Sequence, residues 1–118
     1  MLALGHKKLE VWKLAIGFVI GIYRTTDHFP KTETYNLTNQ LRRAAVSIAS
    51  NIAEGASRSS VNERRRFFEI ARSSAVEIDT QIEIALQLGF CSRDAITELD
   101  KRLNSLFAML SQLIRNTR

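Results

Sequence analysis

The stretch "LRRAAVSIASNIAEG" at residues 41–55 decides the fold. At 100° per residue, Leu41, Ala45, Ile48 and Ile52 fall on one line. Val46, Ala49 and Ala53 form a second line beside it, with Arg42 at its upper end. Arg43, Ser47, Ser50 and Glu54 share the polar side, so the segment reads as an amphipathic helix packed on most of its circumference. Asn51 lies on the line of Ala44, Ile48 and Gly55, close to the apolar face. An unpaired amide there would cost about 1–3 kcal/mol. Asn51 is therefore expected to anchor the register of the second and third helices, with Glu54, Glu77 and Gln81 in the same internal polar network. Arg42 and Arg43 carry two readings, an internal pair with Glu77 or an outward binding surface.

Working outward, the chain is punctuated in three places: "HFPKTETYN" (28–36), "EGASRSS" (54–60) and "GFCS" (89–92). Helix formers fill the rest, which predicts helices over about 8–28, 36–55, 61–89 and 93–116. Ser60 and Glu63 form a capping box at the third helix, and Asn36 and Ser92 are expected caps for the second and fourth. In the last helix Ile96, Leu99, Leu103, Leu106, Leu110 and Leu113 repeat at 3, 4, 3, 4 and 3 residues, a heptad-type seam that Phe107 and Ile114 widen. Short connections make sequential helices antiparallel neighbours. The expected fold is all-α, an antiparallel up-down-up-down four-helix bundle spanning residues 1–118 as one domain.

The first helix has two apolar stripes. Leu9, Trp12, Ile16, Val19 and Tyr23 form one; Val11, Ala15, Phe18 and Ile22 form the other. A bundle helix needs a single stripe for its core, so the second set is expected to serve as an oligomer interface.

Composition narrows the function. Cys91 is the only cysteine, which excludes an internal disulfide and a cysteine zinc cluster and fits a reducing, cytoplasmic setting. The N-terminus lacks a signal-peptide pattern, and "LAIGFVIGIY" (14–23) is about half a membrane span, so no membrane partner is expected. His6 and His28 lack the Glu-x-x-His spacing of bundle di-metal sites. No phosphate loop or nucleophile elbow is present. The chain reads as a non-enzyme without a cofactor.

Net charge is +5. Between Arg42 and Arg72 seven arginines face three glutamates. Three consecutive arginines, Arg64, Arg65 and Arg66, span about 200° of helix, too wide for one internal partner. With Arg58 they gather around the second loop, where the amides opening the third helix also favour phosphate. Lys7, Lys8, Arg42, Arg43, Arg58, Arg64, Arg65 and Arg66 are the candidate nucleic-acid-binding residues. Phe67 and Phe68 read as core, and no recognition-helix signature appears, so contacts are expected to follow backbone and shape.

"KLEVWKLA" (8–15), "YNLTNQLRRAAVSIASNIAEG" (35–55), "RRFFEIARSSAVEIDTQIEIALQLG" (65–89) and the leucine-rich last helix resemble the 23S rRNA intervening-sequence proteins, small bacterial four-helix bundles. The resemblance covers nearly the whole chain. It implies a ring-like homo-oligomer, commonly a pentamer. It also implies binding to structured RNA or DNA, by analogy with accessory proteins of diversity-generating retroelements, which meet a reverse transcriptase. The motif residues Arg42, Arg43, Asn51, Glu54 and Gly55 are all present. Two departures are Ala49, where many relatives have proline, and Asn36, where many have glycine. An oligomeric scaffold whose partner is another protein is the alternative function.

Overall fold

Four α-helices account for most of the chain: α1 (Glu10–Thr26), α2 (Leu37–Ser57), α3 (Val61–Gln87) and α4 (Thr97–Asn116). The computed structural model describes residues 1–118. Each helix packs on its sequence neighbours, α1 also packs on α4, and the backbones of the two diagonal pairs stay apart across the core. That is the up-down-up-down bundle, a square of antiparallel helices. Single 3₁₀ turns lie at Gly5–Lys8 and Lys31–Glu33. No helix is long and apolar enough to cross a membrane.

The core follows the stripes. Leu41, Ala45, Ile48 and Ile52 from α2 meet Ala71, Ala75 and Ile78 from α3, and Leu99, Leu103, Leu106 and Leu110 from α4. The α2–α3 seam is the tightest because its facing residues are small. Ser74 Oγ donates to Ser47 Oγ across it at 3.1 Å. Farther along, Gly55 is buried with no room for a side chain, since a Cβ would lie 2.6 Å from the Phe68 ring.

α1 corrects one expectation. Val11, Ala15, Phe18 and Ile22 are 6%, 0%, 0% and 1% exposed, all inside the chain's own core. They form its inner stripe and are not free for an oligomer interface. The stripe left outside carries Ile16, Ile20 and Tyr23, each about two-fifths exposed. The inner stripe continues into Thr26, which turns its hydroxyl onto the Ile22 carbonyl at 2.7 Å and so can be buried.

Helix ends also depart in part from expectation. Ser60 Oγ accepts from the Glu63 amide at 3.3 Å, as its sequence position requires. Asn36 occupies the N-cap position of α2 without capping; its side chain donates to the Thr32 carbonyl, and Glu33 Oε1 accepts from the Leu37 amide instead. Ser92 Oγ accepts from the Ala95 amide within a turn, so α4 starts only at Thr97. α3 stops at Gly89, whose φ of 76° lets Phe90 N–H reach the Ala85 carbonyl and Gly89 N–H the Leu86 carbonyl, a Schellman closure.

Candidate nucleic-acid interface

The antiparallel topology sorts the charges. Residues 1–17, 48–73 and 108–118 form the half of the bundle that holds the α2–α3 turn; residues 18–47 and 74–107 form the other. The turn half has ten Lys and Arg against four Asp and Glu, and the other half has seven against eight. All of the excess positive charge therefore sits in one half.

The eight candidate binding residues do not form one surface. Lys7, Lys8, Arg58, Arg64, Arg65 and Arg66 come to the turn end. Arg42 and Arg43 lie roughly 22 Å away along α2, at 1.5 Å per residue. Arg115 and Arg118 join the turn end because α4 returns there, a consequence of topology that linear spacing does not display. Of these eight turn-end cations only Arg58 has a carboxylate within 4 Å, Glu54 at 3.2 Å. The Arg58 guanidinium also lies over the Phe67 ring, with 5.0 Å to its centroid.

Their freedom differs. Lys8 and Arg66 are exposed and unpaired. Lys7 donates to the Leu2 carbonyl. Arg65 Nη2 donates to the Thr117 carbonyl at 2.6 Å, which caps α4 and ties it to the start of α3. Arg64 is half-buried, and its Nε is shielded without a hydrogen-bond partner.

At the opposite end the paired arginines resolve, and neither reaches Glu77, whose carboxylate instead accepts from Gln81. Arg42 turns to α1. Its Nε donates to Thr26 Oγ1 at 2.9 Å, its Nη2 donates to the Tyr23 carbonyl and to Asp27, and the guanidinium lies 4.5 Å from the Tyr23 ring centroid. Arg43 is exposed and has no ion-pair partner. It borders an open hollow of about 540 Å³ with Tyr23, Asn39 and Tyr35. Tyr35 is 89% exposed, an aromatic whose position in a turn the sequence reading passed over. Arg42→Met is expected to cost about 2 kcal/mol, mostly through Thr26 and the Tyr23 face because Asp27 is largely solvated. Arg43→Met should change stability by less than about 0.5 kcal/mol. Urea unfolding of the two variants checks this, and equal costs would contradict the bracing role of Arg42.

The expected polar network is three separate pieces. Asn51 Nδ2 donates to the Ser47 carbonyl and hydroxyl at 2.8 and 3.0 Å, and reaches α3 only through the Ser47–Ser74 contact. Glu54 pairs with Arg58, and Gln81 bonds Glu77 while its own Oε1 is buried without a partner.

No group of three His, Cys, Asp or Glu side chains is placed to hold a metal ion. Burial pushes the Cys91 thiol above its ordinary range, opposite to the shift that activates a nucleophilic cysteine.

The sequence profile described as "23S rRNA-intervening sequence protein" matches residues 7–112. The chain belongs to that family. A structure of a protein with unknown function from the S23 ribosomal protein family of Bacteroides thetaiotaomicron, solved at 1.70 Å, has the same fold. It aligns with a TM-score of 0.80 at 18% identity, covering 90% of this chain and 99% of the other. No curated protein matches. Within the family segment fall both the α2–α3 seam and the arginine-rich turn, whereas Arg115 and Arg118 lie beyond it.

Proposed function

We propose that this family member is a non-enzymatic, homo-oligomeric protein that binds RNA through the basic turn end. One observation carries the reading: ten cations against four carboxylates in the turn half, with a balanced half opposite. A fold needs no such separation, and a polyanion is attracted to it from a distance. Mixing purified protein with a structured RNA at low salt should retard the RNA saturably. Absence of any retardation would contradict the proposal.

Self-association is proposed through the outer stripe. Ile16, Ile20 and Tyr23 of α1 and Val46 of α2 are exposed apolar side chains on neighbouring helices, and Ile84 of α3 with Leu88 at its C-cap forms a second exposed group. Head-to-tail rings use two non-identical faces of this kind. Repetition around a ring would multiply a modest basic end into an avid one. Light scattering is expected to return a multiple of 13.4 kDa for the native chain, and 13.4 kDa for Ile16→Glu/Ile20→Glu. A native monomer at micromolar concentration would contradict it.

The same apolar faces favour a second reading, a scaffold for another protein. Co-purification of a protein after thorough nuclease treatment, with no nucleic-acid absorbance, would favour it over RNA binding.

A further inference from the structure

Arg64 is the turn-end cation that the fold half-buries and leaves unpaired. No hydrogen bond engages its guanidinium, no carboxylate lies within 4 Å, and its Nε is sealed from solvent. With Nε sealed, the two outer guanidinium nitrogens are the ones open to an occupant, and neither has a partner. Arg64 lines a cleft of about 470 Å³ between the N-terminal 3₁₀ turn, the end of α2, the start of α3 and the end of α4. The other walls are mainly apolar, with Leu4, Leu9, Phe68 and Leu113, and His6 stands at one side. This volume lies within the range of small-molecule sites, and a mostly apolar lining with a few polar groups is their usual make-up.

We propose that this cleft receives one unstacked nucleotide of the bound RNA. The base lies against Leu9 and Leu113, and the outer nitrogens of Arg64 hold its phosphate. The inference rests on the RNA-binding reading above and deepens it, since it requires a single-stranded loop or bulge within the recognised RNA. Charge selects a nucleotide over an apolar peptide side chain. Lys8 and Arg58 flank the lining residues in sequence, and the surrounding half holds an excess of six positive charges (ten cations, four carboxylates). An apolar peptide would gain nothing from that field, whereas each flanking phosphate would. The hydrophobic walls in turn suit the base, which a purely phosphate-binding surface would leave in water.

The cleft has a built-in reporter. His6 packs edge-on against Trp12, with ring centroids 5.1 Å apart, and Trp12 is the only tryptophan. An occupant beside His6 therefore changes Trp12 emission.

The test uses two RNA hairpins carrying 2-aminopurine, one in the loop and one in the stem, titrated against the full chain. Binding is followed by anisotropy, and insertion by 2-aminopurine and Trp12 emission. Loop-probe and Trp12 emission should both change on saturation, while the stem probe should not. Arg64→Gln should abolish the loop-probe change and weaken hairpin binding about tenfold, the scale of one lost charge-assisted phosphate contact. Ala56→Leu, which fills the cleft and keeps every charge, should do the same, so the outcome does not depend on how Arg64→Gln folds. Hairpin binding without either emission change, or a loop signal that survives both variants, would overturn the cleft while leaving the basic end intact. If neither hairpin binds, the RNA reading falls and the cleft proposal falls with it.

Discussion

Raising the salt concentration from 50 to 200 mM is expected to weaken RNA binding about a thousandfold, if about six phosphates are engaged. The number follows from counterion release, in which each neutralised phosphate adds roughly 0.9 to the slope of log affinity against log salt. Six is what the turn end can supply. Eight cations gather there, but Arg58 is shared with Glu54 and Arg65 is partly committed to the Thr117 carbonyl. None of the remaining side chains meets a carboxylate; Lys7 and Arg115 hold only exposed neutral acceptors, the Leu2 carbonyl and Gln112 Oε1, which a phosphate can displace. Fluorescence anisotropy of a labelled hairpin at several salt concentrations measures the slope. A change below about fivefold would mean fewer than two phosphates engaged, and the basic end would then be a solvated surface only.

Gly55→Ala is expected to destabilise the fold by about 2 kcal/mol, lowering the melting temperature by roughly 5–10 °C. The sign is the informative part. At an open helical position the same change gains about 1 kcal/mol of helix propensity. At Gly55 the new Cβ would stand 2.6 and 2.8 Å from two carbons of the Phe68 ring and 3.1 Å from the Arg64 carbonyl oxygen. Phe68 is 2% exposed, and the carbonyl belongs to the α3 backbone. Relief must come from separating α2 and α3, whose small facing residues give the seam its closeness. Calorimetric scans of the two proteins decide between the signs. An unchanged or higher melting temperature would contradict the close seam.

The bundle was legible because each helix carries a stripe at its own period. The α4 seam from Ile96 to Leu110 is buried as spaced, with Leu113 at its half-buried end and Phe107 on the outer edge. α1 was ambiguous for the opposite reason: both its stripes are apolar, and a wheel assigns angles without saying which neighbour occupies them. The inner choice depends on what α2 and α4 present, and that is a tertiary fact. Asn51 shows the same limit. Its angle placed it beside α3, but its amide is satisfied within α2 by Ser47, and Ser74 completes the bridge. Arg42 and Arg43 are adjacent in sequence and 100° apart on the helix, so one braces α1 and the other faces solvent. The basic end itself was legible at Arg58 and Arg64–Arg66. The contributions of Arg115 and Arg118 came from the return of α4, and the cleft at Arg64 from four chain segments meeting at one end.

The most direct test of the basic turn end is hairpin affinity at 50 mM salt for two charge-reversal variants, Arg58→Glu/Arg66→Glu and Arg43→Glu, beside the native chain. The two-site reversal is expected to weaken binding by about a hundredfold or more and to flatten the salt slope by at least the one phosphate that Arg66 engages, Arg58 being shared with Glu54. Arg43→Glu should weaken it by no more than a few-fold, since that end carries no excess charge. Equal affinity for the native chain and the Arg58/Arg66 variant, or a larger loss from Arg43→Glu, would contradict the account.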